Sequence, residues 1–118
     1  MLFYESLTVY QKAFAVNKEI YKFLKKNKSI PPYIKNQLGR ASLSVMLNIT
    51  EGTAETSSKD RRNFYVIARG SAFESASFIK FLASEKEIPE ETAGIIYRSF
   101  EEISKMLFTM IKNLSKKQ

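Results

Sequence analysis

The residue types that could carry out chemistry in this chain are limited, because it contains neither cysteine nor histidine. This composition excludes disulfides, a thiolate nucleophile, an imidazole general base and a zinc site built from Cys and His. Ser42, Ser44 and Ser71 therefore lack an activating imidazole, and the adjacent Glu101 and Glu102 face different directions on a helix. The four glycines are not spaced as in a phosphate-binding loop. The sequence predicts no enzymatic activity, no metal site and no cofactor.

Basic residues are the more informative group. Nineteen Lys and Arg against twelve Asp and Glu give a net charge of +7. Such a surface attracts nucleic acid or an anionic membrane, although an ordinary solvated, Lys-rich surface has the same composition. Glu5 interrupts the N-terminal apolar residues before a signal sequence can form. The longest uncharged run, Ala41 to Thr50, is far shorter than the roughly 20 residues of a membrane span, so we expect a cytoplasmic protein.

Four helices must position these residues. A chain of 118 residues with 44% hydrophobic content predicts a single domain, 1–118, and few Gly and Pro favour long helices. Ser6 is a candidate N-cap of the first helix, and Ser57 or Ser58 of the third. The helices are predicted over about Leu7–Lys26, Pro32–Thr53 and Ser58–Glu85, and from Pro89 into a basic tail. Short connections then predict an all-α, antiparallel up-down-up-down four-helix bundle.

This topology places the start of the third helix beside the end of the fourth. Basic residues therefore collect at one end of the bundle, opposed mainly by Glu51, Glu55 and Asp60. The aromatic residues follow core spacing and do not predict a stacking platform, so binding should follow shape and charge. We call this set the basic end and predict that it binds nucleic acid: it comprises Lys59, Arg61, Arg62, Lys112, Lys116 and Lys117.

Polar residues also interrupt the apolar stripes of the second and third helices. The core line predicted for the third helix is Phe64, Ile67, Ser71, Glu74 and Phe78, flanked by Ala68, Ser75, Ile79 and Leu82. Because Glu74 is a charge on that line, we predict a partly buried ion pair between Arg40 and Glu74, with Gln37 or Ser44 nearby. The small residues Gly70–Ala72 would let another backbone approach closely.

Three further residues near the intervening turn carry predictions. Asn48 is either a core amide that fixes the register of the helices or a contact to a partner subunit. Glu51 is expected to brace the turn by pairing with Arg61 or Arg62. Gly52 is expected to weaken the end of the second helix.

Two patterns in this stretch are specific enough to indicate a family. Ser-x-x-x-Asn-Ile-x-Glu-Gly falls on Ser44, Asn48, Ile49, Glu51 and Gly52, and Ala-x-Gly-Ser-x-x-Glu falls on Ala68, Gly70, Ser71 and Glu74. The runs RASLSVMLNITEG and SSKDRRNFYVIARGSAFE, with the opening LTVYQKAFAVNKEIY, resemble the 23S rRNA intervening-sequence proteins over nearly the whole chain. Thr50 stands where that family usually has Ala.

The resemblance implies a four-helix bundle that assembles as a ring, a homopentamer, with a basic surface and no catalytic residues. Members are often encoded inside insertions within bacterial 23S rRNA genes, and a related branch acts with the reverse transcriptase of diversity-generating retroelements. We therefore expect a non-enzymatic, oligomeric accessory protein that binds nucleic acid, RNA being favoured. The alternative is a protein-interaction scaffold that docks an acidic partner such as a reverse transcriptase or a ribonucleoprotein.

Overall fold

Four α-helices make up most of residues 2–116, the part of the chain that the computed structural model describes. A 3-10 turn at Phe3–Ser6 precedes α1 (Thr8–Lys26), α2 (Pro32–Ala54), α3 (Ser58–Ser84) and α4 (Glu90–Ser115). There is no strand among the described residues. The helices begin within a residue of the predicted positions, which confirms the all-α prediction.

Each helix packs against the next, and α1 closes the bundle against α4. At one end of the α3–α4 pair, Arg62 Nε donates to Ser115 Oγ at 2.7 Å. Towards the other end, Lys80 Nζ lies 5.6 Å from the ring centroid of Tyr97. From the first contact to the second, the residue number rises in α3 and falls in α4, so this pair is antiparallel. The same holds for α2 and α3, where Ser44 bonds Ser71 and Thr53 bonds Tyr65, as the predicted topology requires. No helix in residues 2–116 is long and apolar enough to cross a membrane.

Local signals at the helix ends explain where the helices begin. Ser57 Oγ accepts the backbone N–H of Asp60 at 3.0 Å, which confirms it as the N-cap of α3. The prediction for Ser6 is wrong, because its hydroxyl donates to Phe3 O within the 3-10 turn and Leu7 occupies the capping position of α1. Pro32 lies in the first turn of α2, where its missing N–H costs no helical hydrogen bond.

The buried face of α3 is rotated by about one residue from the predicted core line, onto the residues predicted to flank it. Ile67 and Glu74 are exposed, and the buried residues of α3 are Tyr65, Ala68, Ala72, Ser75, Ile79 and Leu82. Several of these side chains are small, which lets α3 lie close to both α2 and α4. The larger residues that we assigned to the core lie at the edge of the helix or face outward.

A buried polar pair joins α1 to α2. Asn17 Nδ2 donates to Ala13 O and to Ser42 O, and Ser42 Oγ donates to Asn17 Oδ1, each at 2.9 Å. Asn48, the core amide of our prediction, instead donates to Ser44 O and Oγ on its own helix and is only partly buried. The prediction of a core amide is therefore wrong for Asn48, and Asn17 is the amide that bonds directly between helices. The alternative role of Asn48, as a contact to a partner subunit, stays a prediction.

The acidic residues are dispersed over the described surface. No group of three or more among residues 2–116 is placed to hold a metal ion. Glu102 of α4 accepts a hydrogen bond from Lys12 Nζ of α1 at 2.8 Å. That hydrogen bond and the charge of Lys12 lower the pKa of the Glu102 carboxyl. The pair links the first and last helices at the surface.

Candidate nucleic-acid interface

The basic end surrounds a groove between the first half of α3 and the last turns of α4. Arg62 of α3 and Lys112 of α4 both line it, and the hydrogen bond from Arg62 to Ser115 holds the guanidinium against α4. A third cation on the groove is Arg69, seven residues further along α3. None of the described residues that line this groove is a carboxylate, so its charge is positive.

The other lysines of the basic end lie outside the groove. Lys59 is exposed in the first turn of α3, and Lys116 is exposed directly after α4. Lys117 lies outside the described residues. The structure thus gathers the described members at one end of the bundle and brings two of them, Arg62 and Lys112, onto one groove.

Arg61 has a structural role instead. Its Nη2 donates to Glu55 O at 2.7 Å, which closes the turn between α2 and α3, and its buried Nε has no hydrogen-bond partner in the described chain. The predicted pair with Glu51 is wrong, because neither Arg61 nor Arg62 forms a salt bridge with that carboxylate in residues 2–116. We therefore remove Arg61 from the set of candidate RNA contacts.

Arg69 is the site residue that the sequence analysis missed. Its guanidinium carbon lies 4.9 Å from the ring centroid of Phe73 and 5.1 Å from that of Phe108, while Nε reaches Ser104 O at 3.4 Å. Phe73 and Phe108 are 56% and 46% exposed, so the prediction that the aromatic residues follow core spacing is wrong for these two. The available signal was the spacing of Arg62, Arg69 and Phe73, which places them on one helix face.

Polar residues of the family patterns meet on a different face, along the seam between α2 and α3. Ser44 Oγ and Ser71 Oγ form a hydrogen bond of 2.8 Å across this seam, and Asn48 donates to Ser44 beside it. Leu47 follows Ser44 by three residues on α2, and Ile67 precedes Ser71 by four residues on α3. Both apolar side chains are exposed. The seam therefore has a narrow polar centre with exposed apolar side chains near it.

Arg40 and Glu74 lie on the same seam and pair as predicted, but they are not buried. Arg40 Nη2 is 3.5 Å from Glu74 Oε2 and donates to Gln37 Oε1 at 2.7 Å. The side chains of Arg40 and Glu74 are 64% and 45% exposed, so the predicted burial is wrong. The reason is that the buried line of α3 passes through Ser75, the neighbour of Glu74.

Replacing Glu74 with alanine should therefore have a small effect on stability. We expect Glu74→Ala to lower the free energy of unfolding by less than about 1 kcal/mol, because water screens an exposed ion pair. Urea unfolding would measure the change, with Glu101→Ala, an exposed glutamate of α4, as the control. A cost of several kcal/mol for Glu74→Ala alone would contradict the exposed geometry.

Comparison with known proteins agrees with this architecture. The family model described as 23S rRNA-intervening sequence protein matches residues 5–109. The chain belongs to this family. A similar solved structure is the 1.70 Å crystal structure of a protein of unknown function from the S23 ribosomal protein family of Bacteroides thetaiotaomicron VPI-5482. It is 28% identical, with a TM-score of 0.82 over 89% of this chain and 99% of that chain. The comparison with curated proteins found no match.

The intervening-sequence family pattern ends on Gly52, and the structure explains why glycine fits there. Gly52 is buried inside α2, and a Cβ atom would lie 2.7 Å from Tyr65 Cε1 and 3.1 Å from Phe64 Cβ. The Tyr65 hydroxyl is held in place by a hydrogen bond of 2.7 Å with Thr53 Oγ1. Gly52 therefore permits the close approach of α3. It lies two residues before the end of α2 at Ala54, and its predicted weakening of that helix end stays a prediction.

Gly52 and Gly70 should respond in opposite ways to alanine. We expect Gly52→Ala to lower the free energy of unfolding by about 1–2 kcal/mol, because overpacking outweighs the gain in helix propensity. At Gly70 an added methyl group would have no atom within 4 Å. Gly70→Ala should therefore raise the free energy of unfolding by about 0.5–1 kcal/mol. Urea unfolding of both variants at one protein concentration checks this. A stabilised Gly52→Ala protein would contradict the packing.

Proposed function

We propose that this protein is a non-enzymatic, oligomeric accessory protein that binds RNA in the cytoplasm through its basic end. The observation that carries the proposal is the groove on which Arg62, Arg69 and Lys112 meet with no carboxylate among the described lining residues. Such a surface suits a phosphate backbone, whose binding is driven by the release of counterions. Membership of the intervening-sequence family supports RNA as the polyanion.

The α2–α3 seam supports the assembly of several copies. Leu43 and Leu47 lie one and three residues from Ser44 on α2, and Ile67 lies four residues before Ser71 on α3. All three are exposed, although large apolar side chains are usually buried. We propose that this face packs against a second copy and that the copies form a ring of five, as the family resemblance implies.

The second candidate function is a scaffold that docks an acidic protein partner. The observation that favours it is the exposure of Phe73 and Phe108 beside Arg69, since an acidic segment with apolar side chains also fits such a surface. RNA remains the leading proposal because the cations recur along the groove, as the phosphates of a nucleic acid do.

Light scattering coupled to an RNA titration tests both candidates. We expect a particle several times heavier than the 13.6 kDa chain before RNA is added, and a further increase in mass with an RNA hairpin. Poly-glutamate of similar length serves as the competing acidic polymer. Binding of poly-glutamate without binding of RNA at low salt would favour the scaffold and contradict the leading proposal.

A further inference from the structure

The groove at the basic end continues along the seam between α3 and α4. A second concavity begins at Arg69 and Phe73, which line both, and extends to Lys80, Tyr97 and Lys105. The one carboxylate among the described residues that line the two concavities is Glu101. The seam is therefore a long, predominantly positive groove and not a cluster confined to the end of the bundle.

Aromatic rings alternate with the cations on this groove. The Arg69 guanidinium contacts Phe73 and Phe108, and the Lys80 ammonium lies over Tyr97. Each of these rings keeps a third or more of its surface exposed. Rings that are fixed beside a cation and open to solvent are the platform on which proteins stack unpaired bases.

The cations recur at a regular distance. Arg62 and Arg69 on α3, and Lys105 and Lys112 on α4, are each seven residues apart. Seven residues of helix span about 10.5 Å, roughly the length of three stacked nucleotides at about 3.4 Å each. Because the helices are antiparallel, Arg62 lies on the groove with Lys112, and Arg69 lies on it with Lys105. Two rows of positive charge, one on α3 and one on α4, therefore run side by side along the seam.

We propose that this groove binds unpaired nucleotides of RNA, with phosphates on the two rows of cations and bases stacked on Phe73, Phe108 and Tyr97. The inference rests on the proposed function and narrows its ligand to single-stranded segments such as loops and bulges. Paired bases inside a duplex cannot reach the rings, whereas bases in loops can be splayed out onto them. Glu101 offsets one of the three cations of the second concavity, so the positive charge there is lower than in the first.

Leucine and tryptophan substitutions separate stacking from apolar contact. Leucine keeps an apolar side chain but removes the ring, so Phe73→Leu with Phe108→Leu should weaken binding of an unstructured 12-nucleotide RNA about tenfold or more. The dependence of its affinity on salt should stay unchanged, because the cations remain. The chain contains no tryptophan, so Phe73→Trp introduces one tryptophan per chain. We expect RNA to quench its emission while binding with near wild-type affinity.

Phe14 provides the matched control, because it is 47% exposed on α1 with Lys18 Nζ 5.9 Å from its ring centroid. We expect Phe14→Leu to bind RNA normally and Phe14→Trp to show no quenching.

Unchanged RNA affinity in the variant with Phe73→Leu and Phe108→Leu, or unquenched Phe73→Trp emission with RNA bound, would overturn this inference alone. A leucine pair that loses its oligomeric mass but keeps its RNA affinity would assign the groove to assembly instead. Absence of RNA binding by the unmodified protein would overturn the proposed function as well.

Discussion

Replacing Arg62 and Lys112 with glutamate is expected to weaken RNA binding about 25-fold or more at about 0.1 M salt. Each contact with a phosphate of a single strand contributes about fivefold at this salt through counterion release, and two contacts are removed. Both residues line one groove, so their loss leaves Arg69 as the one cation among the described residues that line it. The slope of log affinity against log salt should become less steep by about 1.4. Fluorescence anisotropy with a labelled RNA at several salt concentrations measures both quantities.

The matched control reverses two lysines at the opposite end of the bundle. Lys26 and Lys28 are exposed there, and Lys26→Glu with Lys28→Glu changes the net charge by the same amount. We expect this variant to lose less than about threefold in affinity, because charges beyond a Debye length of about 10 Å are largely screened. Equal losses in the two variants would mean that RNA responds to net charge and not to the groove.

Replacing Asn17 with alanine is expected to lower the free energy of unfolding by about 2–3 kcal/mol. The change removes three hydrogen bonds and leaves Ser42 Oγ buried without its acceptor, which costs more than the bonds themselves contribute. Urea unfolding at a fixed protein concentration measures the loss, since assembly makes the apparent stability depend on concentration.

Two further variants control this experiment. Asn17→Leu combined with Ser42→Ala removes both side-chain partners and should recover part of the loss, because no hydroxyl is then left unsatisfied. Asn48→Ala removes an amide whose hydrogen bonds stay within α2, so its cost should be below about 1 kcal/mol. A larger loss for Asn48→Ala than for Asn17→Ala would return the register role to Asn48.

The helices could be predicted because their signals are local. Apolar residues recur at helical spacing, Ser57 caps α3, and prolines precede or begin α2 and α4. The rotation of α3 about its axis could not be predicted in the same way. Large residues such as Ile67 suggested the core face, but contact with two neighbours favours the small side chains of Ala68 and Ala72.

The polar contacts were harder to predict from the sequence, because each depends on a residue of a second helix. The spacing of Arg40 and Glu74 across a helical hairpin was enough to predict their pairing but not their exposure. Arg69 lies between a ring on its own helix and Phe108, which is distant in the sequence, so only the packed bundle brings the three together. Asn17 likewise has no local signal for its partner on α2.

The salt dependence of RNA affinity tests the central claim most directly. For the assembled, unmodified protein and an unstructured RNA, we expect log affinity to fall linearly with log salt at a slope of about −3.5 for each bound strand. That value corresponds to about five phosphate contacts at about −0.7 each, made by the cations of the groove and the neighbouring basic end. A slope near zero, or no measurable binding at low salt, would contradict the assignment of this surface to RNA.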